Sequence, residues 1–330
     1  MENNQSPIAV LGAGAWGAAL AILLARNGQA VRLWDHDTAR LSLMQTSRTF
    51  LDVVLPENLD ITFNLEDAIV DVTDICLVVP SHAFRPVLIR LKALVKTPLR
   101  FVWGTKGLDP ETGCFLHETV YEIFSQKTPI AIISGPSFAK EVALNFPTAV
   151  SLAGNDPHFL NDLSTRFFNH YFHVYINSDF IGVQLCGVVK NVMAIAVGIS
   201  DGIGFGANTR CALITRGIAE MSRLCVALGG LSETTMSLAG VGDLILTCTD
   251  NQSRNRRFGL AMGKNQSAQQ ALKEIGESVE GYYNAKQLHQ LAQKNKVFMP
   301  IAEQVYAILY ENRSAKTVLS ELLDRESKME

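Results

Sequence analysis

The first half of the chain alternates short apolar runs with segments of helical spacing. Such alternation builds a parallel sheet whose strands are joined by crossover helices. One helix is predicted over residues 15–27, and Gly28 after it is expected to take the left-handed conformation that ends many helices. Strands are predicted over residues 8–11, 31–34, 75–79, 100–103, 130–133, 148–152 and 172–176.

After about Ser178 the strand pattern weakens, and long segments with helical spacing of their apolar residues follow. One helix is predicted to follow Asp179 and another to cover residues 208–228, with the glycine-rich segment 201–206 connecting them. Their apolar sides carry Val183, Val188, Val192 and Ile195 in the first helix, and Leu213, Ile218, Met221, Leu224 and Leu228 in the second. A chain of 330 residues exceeds the size at which one core usually keeps growing. We therefore predict a Rossmann-type, doubly wound α/β domain over residues 1–178 and an all-helical domain over residues 179–330.

The composition is that of a folded protein without a strong electrostatic preference. Hydrophobic residues make up 48% of the chain, charged residues 18%, and the formal net charge is -3. This balance gives no reason to expect nucleic acid or a membrane surface as a partner. The most membrane-like run, residues 181–200, is interrupted by Gln184, Lys190 and Asn191, and is predicted to be a buried helix. We expect a small-molecule substrate and no stable membrane insertion, and a homodimer is left open.

Residues 1–7 are polar and lack the basic-then-apolar pattern of a secretory signal, so a cytoplasmic location is expected. The histidines His82, His117 and His289 show no ligand spacing, and no metal is expected. The cysteines form neither a CxxC pair nor a Cys/His metal site, which predicts reduced thiols packed in the core. They are Cys76, Cys114, Cys186, Cys211, Cys225 and Cys248.

Candidate chemistry begins at the first predicted turn, where Gly12, Gly14 and Gly17 form a GxGxxG between an apolar strand and a helix. In a dinucleotide-binding turn the first glycine permits the tight bend, the second lets the pyrophosphate approach, and the third lets the helix pack on the strand. The helix N-terminus adds free N–H groups and a positive dipole end. The setting predicts a dinucleotide site, with an ordinary strand-to-helix turn as the alternative. The glycines of segment 201–206 follow a helix and instead predict a hinge or a helix-spacing loop.

The second predicted strand ends in the acidic segment Asp35-His36-Asp37. Asp35 stands where a Rossmann carboxylate hydrogen-bonds the adenosine ribose, which favours NAD because the same charge repels a 2′-phosphate. Arg32, His36 and Arg40 are close enough in sequence that NADP is also compatible with the pattern, and a simple turn would also use these aspartates. The coenzyme is therefore NAD or NADP, with the preference open.

Six further motifs follow one another along nearly the whole chain. They are VPSH at residues 79–82, GTKG at 104–107, SGPSFA at 134–139, VVKN at 188–191, AGVGDL at 239–244 and NQSRN at 251–255. Together they resemble the successive motifs of the bacterial NAD(P)-dependent glycerol-3-phosphate dehydrogenase family. The resemblance implies reversible hydride transfer between NAD(P)H and dihydroxyacetone phosphate, which gives sn-glycerol 3-phosphate, the precursor for glycerophospholipid synthesis.

The resemblance also implies roles for individual residues, beginning with Lys190, which matches the family's catalytic lysine. The positions that match substrate contacts are Lys106, Gly135, Ser137, Lys190, Asp243, Ser253, Arg254 and Asn255. Those that match the coenzyme lining are Trp16, His36, Ala139, Arg254, Val279 and Glu280. The predicted coenzyme site adds Gly12, Gly14, Ala15, Gly17, Asp35 and Lys106. Asp35 stands where bacterial members that favour NADPH often have a small residue.

The surroundings of Lys190 favour the same chemistry on physical grounds. Lys190 lies among Val188, Val189, Val192 and Met193 on a helix that is predicted to be buried. Burying an unpaired ammonium is costly and lowers its pKa, so a lysine here can exchange protons near neutral pH. Ketone reduction needs a proton at the carbonyl oxygen, and we predict that Lys190 supplies it and acts as the base in the reverse direction. The alternative is a lysine whose stem is buried while its ammonium reaches solvent.

Three other groups have a functional and a structural interpretation each. Asp243 is expected either to orient Lys190 and accept a substrate hydroxyl or to cap a helix. Lys106 lies beyond the carboxyl end of a predicted strand, where ligands collect in open α/β sheets, or it is a surface-loop lysine. The segment SRNRR at residues 253–257 offers the bidentate donors that a phosphate prefers, or it forms a solvated surface. We expect Arg254 to point inward and at least one of Arg256 and Arg257 to point outward.

Two other functions are compatible with these patterns. One is a Rossmann-plus-helical dehydrogenase of hydroxy acids that also uses a lysine on a helix. The other is a non-catalytic nucleotide sensor that binds NAD(H) and a protein partner. Preferential oxidation of a hydroxy acid would favour the first, and failure to oxidise NADH or NADPH with any triose phosphate would favour the second.

Overall fold

A computed structural model describes residues 6–95 and 97–317 of the chain. The chain splits into two compact units, Met1–Val183 and Gln184–Glu330. The sequence analysis placed the boundary after residue 178, whereas the units divide at Val183, inside the first long helix of the second half. Residues 1–5, which form most of the polar start, lie outside the described part.

Unit 1 contains ten strands and seven complete helices among the described residues. The strands are β1 (Ile8–Leu11), β2 (Val31–Trp34), β3 (Thr49–Phe50), β4 (Val53–Val54), β5 (Leu59–Thr62), β6 (Asp74–Leu77), β7 (Arg100–Trp103), β8 (Ile130–Ser134), β9 (Thr148–Gly154) and β10 (Phe172–Ile176). The helices are α1 (Ala15–Arg26), α2 (Thr38–Ser47), α3 (Leu65–Ala68), α4 (Ser81–Leu94), α5 (Leu116–Ile123), α6 (Ala139–Ala143) and α7 (Pro157–Phe167).

Eight of these strands form one sheet in the order β10-β9-β8-β7-β6-β1-β2-β5. The predicted Rossmann-type, doubly wound sheet is confirmed, and β1, β2, β7 and β10 have the predicted bounds. One prediction was wrong: β8 and β9 pair antiparallel, while the other neighbours are parallel. An antiparallel neighbour starts at the edge where the preceding strand ends, so the connection containing α6 needs no crossover to the opposite edge.

The edge strand β5 was not predicted. Its residues alternate between buried Leu59 and Ile61 and outward-facing Asp60 and Thr62, because only one side of this short edge strand is well covered. By contrast β1 is buried at all four positions, as expected for a central strand with helices on both faces. Continuous apolar runs therefore predict the central strands, whereas the alternating apolar and polar residues of β5 give a weaker signal.

Helix α1 lies in the core of unit 1, where every residue from Gly17 to Ala25 is buried. Gly28 after it has φ 79°, so the predicted left-handed residue at the helix end is confirmed. The helix thus fixes the direction of the chain between β1 and β2, and its N-terminus lies within the Gly12 to Gly17 segment, directly after Gly14.

Unit 2 is helical, as predicted. Its elements are α8 (Phe180–Ile203), which begins in unit 1, α9 (Ala207–Ala227), a 3₁₀ turn (Ser232–Met236), a π-helical turn (Leu238–Gly242), α10 (Asp243–Thr249), α11 (Arg254–Gly263), α12 (Ala268–Ile275), α13 (Glu280–Lys294) and α14 (Pro300–Tyr310). The predicted connector 201–206 is shorter than expected, because residues 201–203 continue α8 and only residues 204–206 join it to α9.

Helix α8 is long and apolar enough to cross a membrane by length and composition alone, but 83% of its most apolar window is buried inside the protein. Val188, Val192 and Ile195 are fully buried, which confirms the predicted core helix. On α9, Leu213, Met221 and Leu224 are buried, while Ile218 and Leu228 are only half-buried.

Four of the six cysteines are buried, but the prediction that all of them pack in the core was wrong. Cys114 is half-buried and Cys211 is exposed on α9, and all six are reduced thiols. Burial raises the pKa of Cys76 and of Cys248 to about 12, so these two thiols stay protonated at neutral pH. Cys211 is exposed because it lies on the solvent-facing side of the amphipathic helix α9.

Glycines let α8 and α11 approach within backbone contact. A Cβ at Gly259 of α11 would lie 2.2 Å from the Ile195 carbonyl oxygen of α8, and one at Gly202 of α8 would lie 2.4 Å from the Leu260 carbonyl oxygen. Such distances are far shorter than any van der Waals contact, so no side chain fits at this crossing. The close approach fixes α11, whose first residues belong to the candidate phosphate-binding segment.

We expect Gly259→Ala to destabilise the protein by about 1–3 kcal/mol, the usual cost of overpacking, because the added methyl group meets the α8 backbone. The matched control is Gly206→Ala, where an added Cβ has no heavy atom within 4 Å and φ is extended at −93°. Urea unfolding followed by far-UV circular dichroism compares the two variants. Equal stability of the two would contradict the proposed backbone contact.

Candidate active site

The Gly12 to Gly17 turn has the geometry that a dinucleotide-binding turn requires. Gly12 has φ 113°, and a Cβ there would lie 2.5 Å from the Val78 carbonyl oxygen. A Cβ at Gly17 would lie 1.8 Å from the Gly12 carbonyl oxygen, so the third glycine permits the close packing of helix on turn. Gly14, in contrast, has open space where its side chain would be, which is the face that a pyrophosphate would approach.

The N-terminus of α1 is available to an anion. Among the described residues no side chain caps it, and its first turn contains no acidic residue. Ala15 and Trp16, both half-buried, begin that first turn. The Trp16 indole Nε1 is buried and has no hydrogen-bond partner within the described part of the chain. Gly104 provides the room for it, since a Cβ at Gly104 would lie 2.5 Å from this nitrogen. These observations fit a bound dinucleotide, whose phosphates would take the N–H groups of the helix end.

Asp35 follows β2 and its carboxylate turns back to the glycine turn. Its Oδ2 accepts the Ala13 N–H at 2.6 Å, and its Oδ1 accepts the Asp37 N–H at 2.9 Å. The residue is only 5% exposed, whereas the His36 side chain beside it is 84% exposed. Asp37 caps α2 by accepting the Arg40 N–H at 3.0 Å. Asp35 is thus a brace for the coenzyme turn as well as a candidate coenzyme neighbour.

Other predicted residues of unit 1 follow the carboxyl ends of parallel strands. Lys106 follows β7 and is half-buried, so it is not a fully exposed surface lysine. Gly135 and Ser137 follow β8, with the Ser137 hydroxyl donating to the Gly135 carbonyl at 2.9 Å, and Ala139 begins α6. Because β1, β2, β6, β7 and β8 run parallel, the turns after β1, β2, β7 and β8 lie along one edge of the sheet. Ligands collect at this edge in open α/β sheets.

In unit 2, Lys190 is buried and paired with Asp243. The Lys190 Nζ donates to Asp243 Oδ1 at 2.5 Å and to the Thr247 hydroxyl at 3.0 Å, and the side chains of Lys190 and Asp243 are 8% and 2% exposed. The predicted burial of Lys190 is confirmed, and the alternative of an ammonium that reaches solvent was wrong. The Asp243 carboxylate stabilises the ammonium form, which is the form that can donate a proton.

An irregular backbone segment positions Asp243 at the start of α10. The π-helical turn Leu238–Gly242 immediately precedes it, and such turns are often found at functional sites. Gly240 packs so closely that a Cβ there would lie 2.1 Å from the Thr235 carbonyl oxygen. Asp243 is the first residue of α10, and Gly242 rather than Asp243 occupies the N-cap. Of its two interpretations, orientation of Lys190 is the one that the ion pair supports.

Thr247 was not predicted from the sequence. It lies four residues after Asp243 on α10, where side chains share one face of a helix, so the spacing contained a usable signal. Its hydroxyl donates to the Asp243 backbone carbonyl at 2.6 Å, which leaves the oxygen free to accept from Lys190. The threonine thereby completes the surroundings of the ammonium.

The segment 253–257 forms the start of α11. Ser253 is its N-cap and accepts the Arg256 N–H at 3.2 Å. Asn255 donates to Asn191 Oδ1 at 2.8 Å and accepts the Gly281 N–H at 2.9 Å, which ties α8, α11 and the start of α13 together. Val279 and Glu280 stand at that start of α13, so Asn255 positions the backbone beside two predicted coenzyme residues.

The expected orientation of the arginines was partly wrong. Arg254 was expected inward, but its side chain is 40% exposed and pairs with Glu277 Oε2 at 3.0 Å. Arg256 is the buried member and donates to Asp201 Oδ2 at 2.6 Å and to the Cys248 carbonyl at 3.0 Å. Arg257 is exposed, as expected for one of the two. Arg256 is buried because its guanidinium points towards Asp201 on α8. This long-range pairing has no signature in the sequence.

Two protein-family models match the chain, one in each half. The family model of the NAD-dependent glycerol-3-phosphate dehydrogenase N-terminus matches residues 7–160, and the family model of the C-terminus matches residues 179–320. A glycerol-3-phosphate dehydrogenase (NAD(P)+) of Haemophilus influenzae is 51% identical over 335 aligned residues, which cover 100% of both proteins. The chain belongs to the NAD-dependent glycerol-3-phosphate dehydrogenase family.

Solved structures of this family agree with the fold. The crystal structure of a glycerol-3-phosphate dehydrogenase from Coxiella burnetii is 50% identical, covers 97% of this chain and 99% of its own, and superposes with a TM-score of 0.94. A glycerol-3-phosphate dehydrogenase from Saccharomyces cerevisiae is 25% identical over 97% of this chain and 99% of its own, with a TM-score of 0.81. The resemblance stated from the sequence motifs is thus confirmed at the level of the family.

We expect Lys190→Met to destabilise this family member by about 3–5 kcal/mol, because it leaves the Asp243 carboxylate buried and unpaired. The double variant Lys190→Met with Asp243→Leu should recover most of that loss, since apolar side chains of similar size often replace a buried ion pair without cost. Urea titration of the two variants and the parent protein measures the free energies of unfolding. A double variant no more stable than the single one would show that the pair is not the source of the destabilisation.

Proposed function

We propose that this chain is an NAD(P)-dependent glycerol-3-phosphate dehydrogenase that reduces dihydroxyacetone phosphate reversibly to sn-glycerol 3-phosphate. The observation that carries the proposal is the buried Lys190 and Asp243 pair in a chain that is 51% identical over its full length to a protein of that name. The product is the precursor for glycerophospholipid synthesis, so the reaction would supply lipid formation.

The reaction adds a hydride to the carbonyl carbon and a proton to the carbonyl oxygen. When bound, the nicotinamide would supply the hydride in this direction and would accept it in the reverse direction. Lys190 is proposed to donate the proton from its ammonium group and to take it back from the alcohol when glycerol 3-phosphate is oxidised. Asp243 and Thr247 hold the Lys190 Nζ at 2.5 Å and 3.0 Å, so the acid is oriented before substrate binds.

The phosphate is proposed to bind at the start of α11. Arg254 is partly exposed and close to the helix N-terminus, so its guanidinium can leave Glu277 for a dianionic phosphate, which is a stronger partner for a bidentate donor. Exposed ion pairs are weak, and the loss of the Glu277 contact is therefore small. Lys106, Gly135, Ser137, Ser253 and Asn255 remain predicted substrate contacts.

The coenzyme is proposed to bind unit 1 at the Gly12 to Gly17 turn. Gly14 leaves the approach to the turn open and α1 offers its uncapped N-terminus to the pyrophosphate. The remaining predicted coenzyme contacts, including Ala139, Val279 and Glu280, stay proposals.

A catalytic function explains the buried pair better than a nucleotide sensor does. A buried ion pair contributes little to stability compared with apolar side chains, so its presence in the helical core needs another reason. Proton transfer supplies that reason, and a sensor has no use for it. A dehydrogenase of hydroxy acids would also use a buried lysine, but the full-length relatives favour the phosphorylated substrate. A cytoplasmic location and a homodimer stay predictions.

We expect the purified protein to oxidise NADH or NADPH only when dihydroxyacetone phosphate is added, as followed by the loss of nicotinamide absorbance. Lys190→Met should lower kcat by about 10²–10⁴-fold, the usual contribution of a positioned acid, while coenzyme binding is nearly unchanged. The matched control is Lys286→Met, which removes an exposed lysine of α13. Normal turnover of the Lys190 variant would refute its role, and a folded protein that turns over no triose phosphate would refute the function.

We expect Arg254→Ala to lower kcat/KM for dihydroxyacetone phosphate by about tenfold to a hundredfold, consistent with 1.5–3 kcal/mol for a charged hydrogen bond. Turnover of dihydroxyacetone, which lacks the phosphate, should change much less. Arg257→Ala is the matched control, because it removes an exposed arginine from the same helix. Equal losses for both substrates would place the phosphate elsewhere.

A further inference from the structure

The coenzyme preference left open by the sequence depends on the charges around Asp35. The carboxylate is held by two backbone N–H groups, those of Ala13 and Asp37, and its side chain is only 7% exposed. Ala13 lies inside the glycine turn, so the negative charge is fixed next to the backbone that would bind the coenzyme. It cannot turn away without breaking the bond at 2.6 Å that braces the turn.

The two arginines that lie near Asp35 in sequence do not leave an excess of positive charge beside it. Arg32 donates to the carbonyl groups of Asp67, at 3.4 Å, and of Val70. Arg40 lies 3.5 Å from the Asp35 carboxylate and 3.3 Å from that of Asp37. One guanidinium thus faces two carboxylates, and the local charge after β2 is negative.

His36 does not reverse this balance. Its Nδ1 lies 2.9 Å from Asp35 Oδ1, so the imidazole is oriented by the carboxylate. The ring is 84% exposed, so its interaction with a bound anion is screened by solvent more than that of the buried carboxylate is.

We propose that Asp35 makes this chain select NADH over NADPH, and that it does so by charge repulsion of the 2′-phosphate. The proposal rests on the proposed function only in requiring that unit 1 binds a nicotinamide dinucleotide. Both carboxylate oxygens accept backbone hydrogen bonds, so the position of the charge is fixed whichever coenzyme binds. Repulsion acts through a poorly screened charge and works against the phosphorylated coenzyme alone.

The test measures binding without substrate, by titrating NADH and NADPH against protein fluorescence. We expect the native chain to bind NADPH at least about tenfold more weakly than NADH, which corresponds to 1.4 kcal/mol. Asp35→Asn keeps an acceptor oxygen for the Ala13 N–H and removes the charge. It should tighten NADPH binding by about tenfold and change the Kd for NADH by less than about threefold.

The matched control is Asp71→Asn, which removes one negative charge from an exposed residue before β6, at the opposite edge of the sheet from Asp35. Asp71 has φ 55°, a conformation that asparagine tolerates well. This control should leave the ratio of the two affinities unchanged. Far-UV circular dichroism checks that each variant is folded.

A second measurement on the native chain keeps the proposal testable if the variant does not fold. ADP-ribose and 2′-phospho-ADP-ribose should differ by the same factor of about ten in competing with NADH. Equal affinities of the native chain for the two coenzymes, or an unchanged ratio in folded Asp35→Asn, would overturn the proposal. A selective loss of NADH binding in that variant would assign the selectivity to a ribose hydrogen bond instead. Failure to bind either coenzyme would refute the proposed function itself.

Discussion

The buried ion pair between Lys190 and Asp243 is the interaction on which the proposed chemistry of this protein depends. A buried ammonium group in an apolar helical core needs a partner that compensates its charge. Here the partner is Asp243, the first residue of α10, whose Oδ1 lies 2.5 Å from the Lys190 Nζ. The pair fixes the direction in which the Lys190 Nζ points. Thr247, one helical turn later, adds a further acceptor for the Nζ group.

Backbone contacts without side chains hold the surrounding framework in place. In unit 1 the Gly17 position packs on the Gly12 carbonyl, and in unit 2 the α8 and α11 backbones meet at Gly202 and Gly259. At each contact the backbone packs directly against another backbone segment, and this close packing restricts the position of the helix that contains the glycine. The N-termini of α1 and α11, proposed to bind anions, are both fixed in this way. The glycines that permit the backbone packing thereby position both helix N-termini.

In our proposal Asp35 serves both the stability of the glycine turn and the selection of the coenzyme. Its carboxylate completes the hydrogen bonds of the glycine turn, and the same fixed charge faces the region where the coenzyme adenosine is proposed to lie. Because Arg32 and Arg40 have other partners, proximity in sequence gave a misleading impression of positive charge. Side-chain direction, which depends on neighbouring strands and helices, decides the local potential.

Most of the architecture was predictable from local patterns, because buried strands are continuous apolar runs and a buried helix repeats its apolar positions. The central strands, α1, α8, α9 and the burial of Lys190 were predicted from these apolar patterns. The family motifs were recognised from their residues and their order along the chain. The sequence by itself could not determine pairings between distant segments: the edge strand β5, the antiparallel β9, the choice of Arg256 over Arg254 for burial, and the contacts of Asp35. These depend on which surfaces meet after the chain folds, and only the tertiary structure decided them.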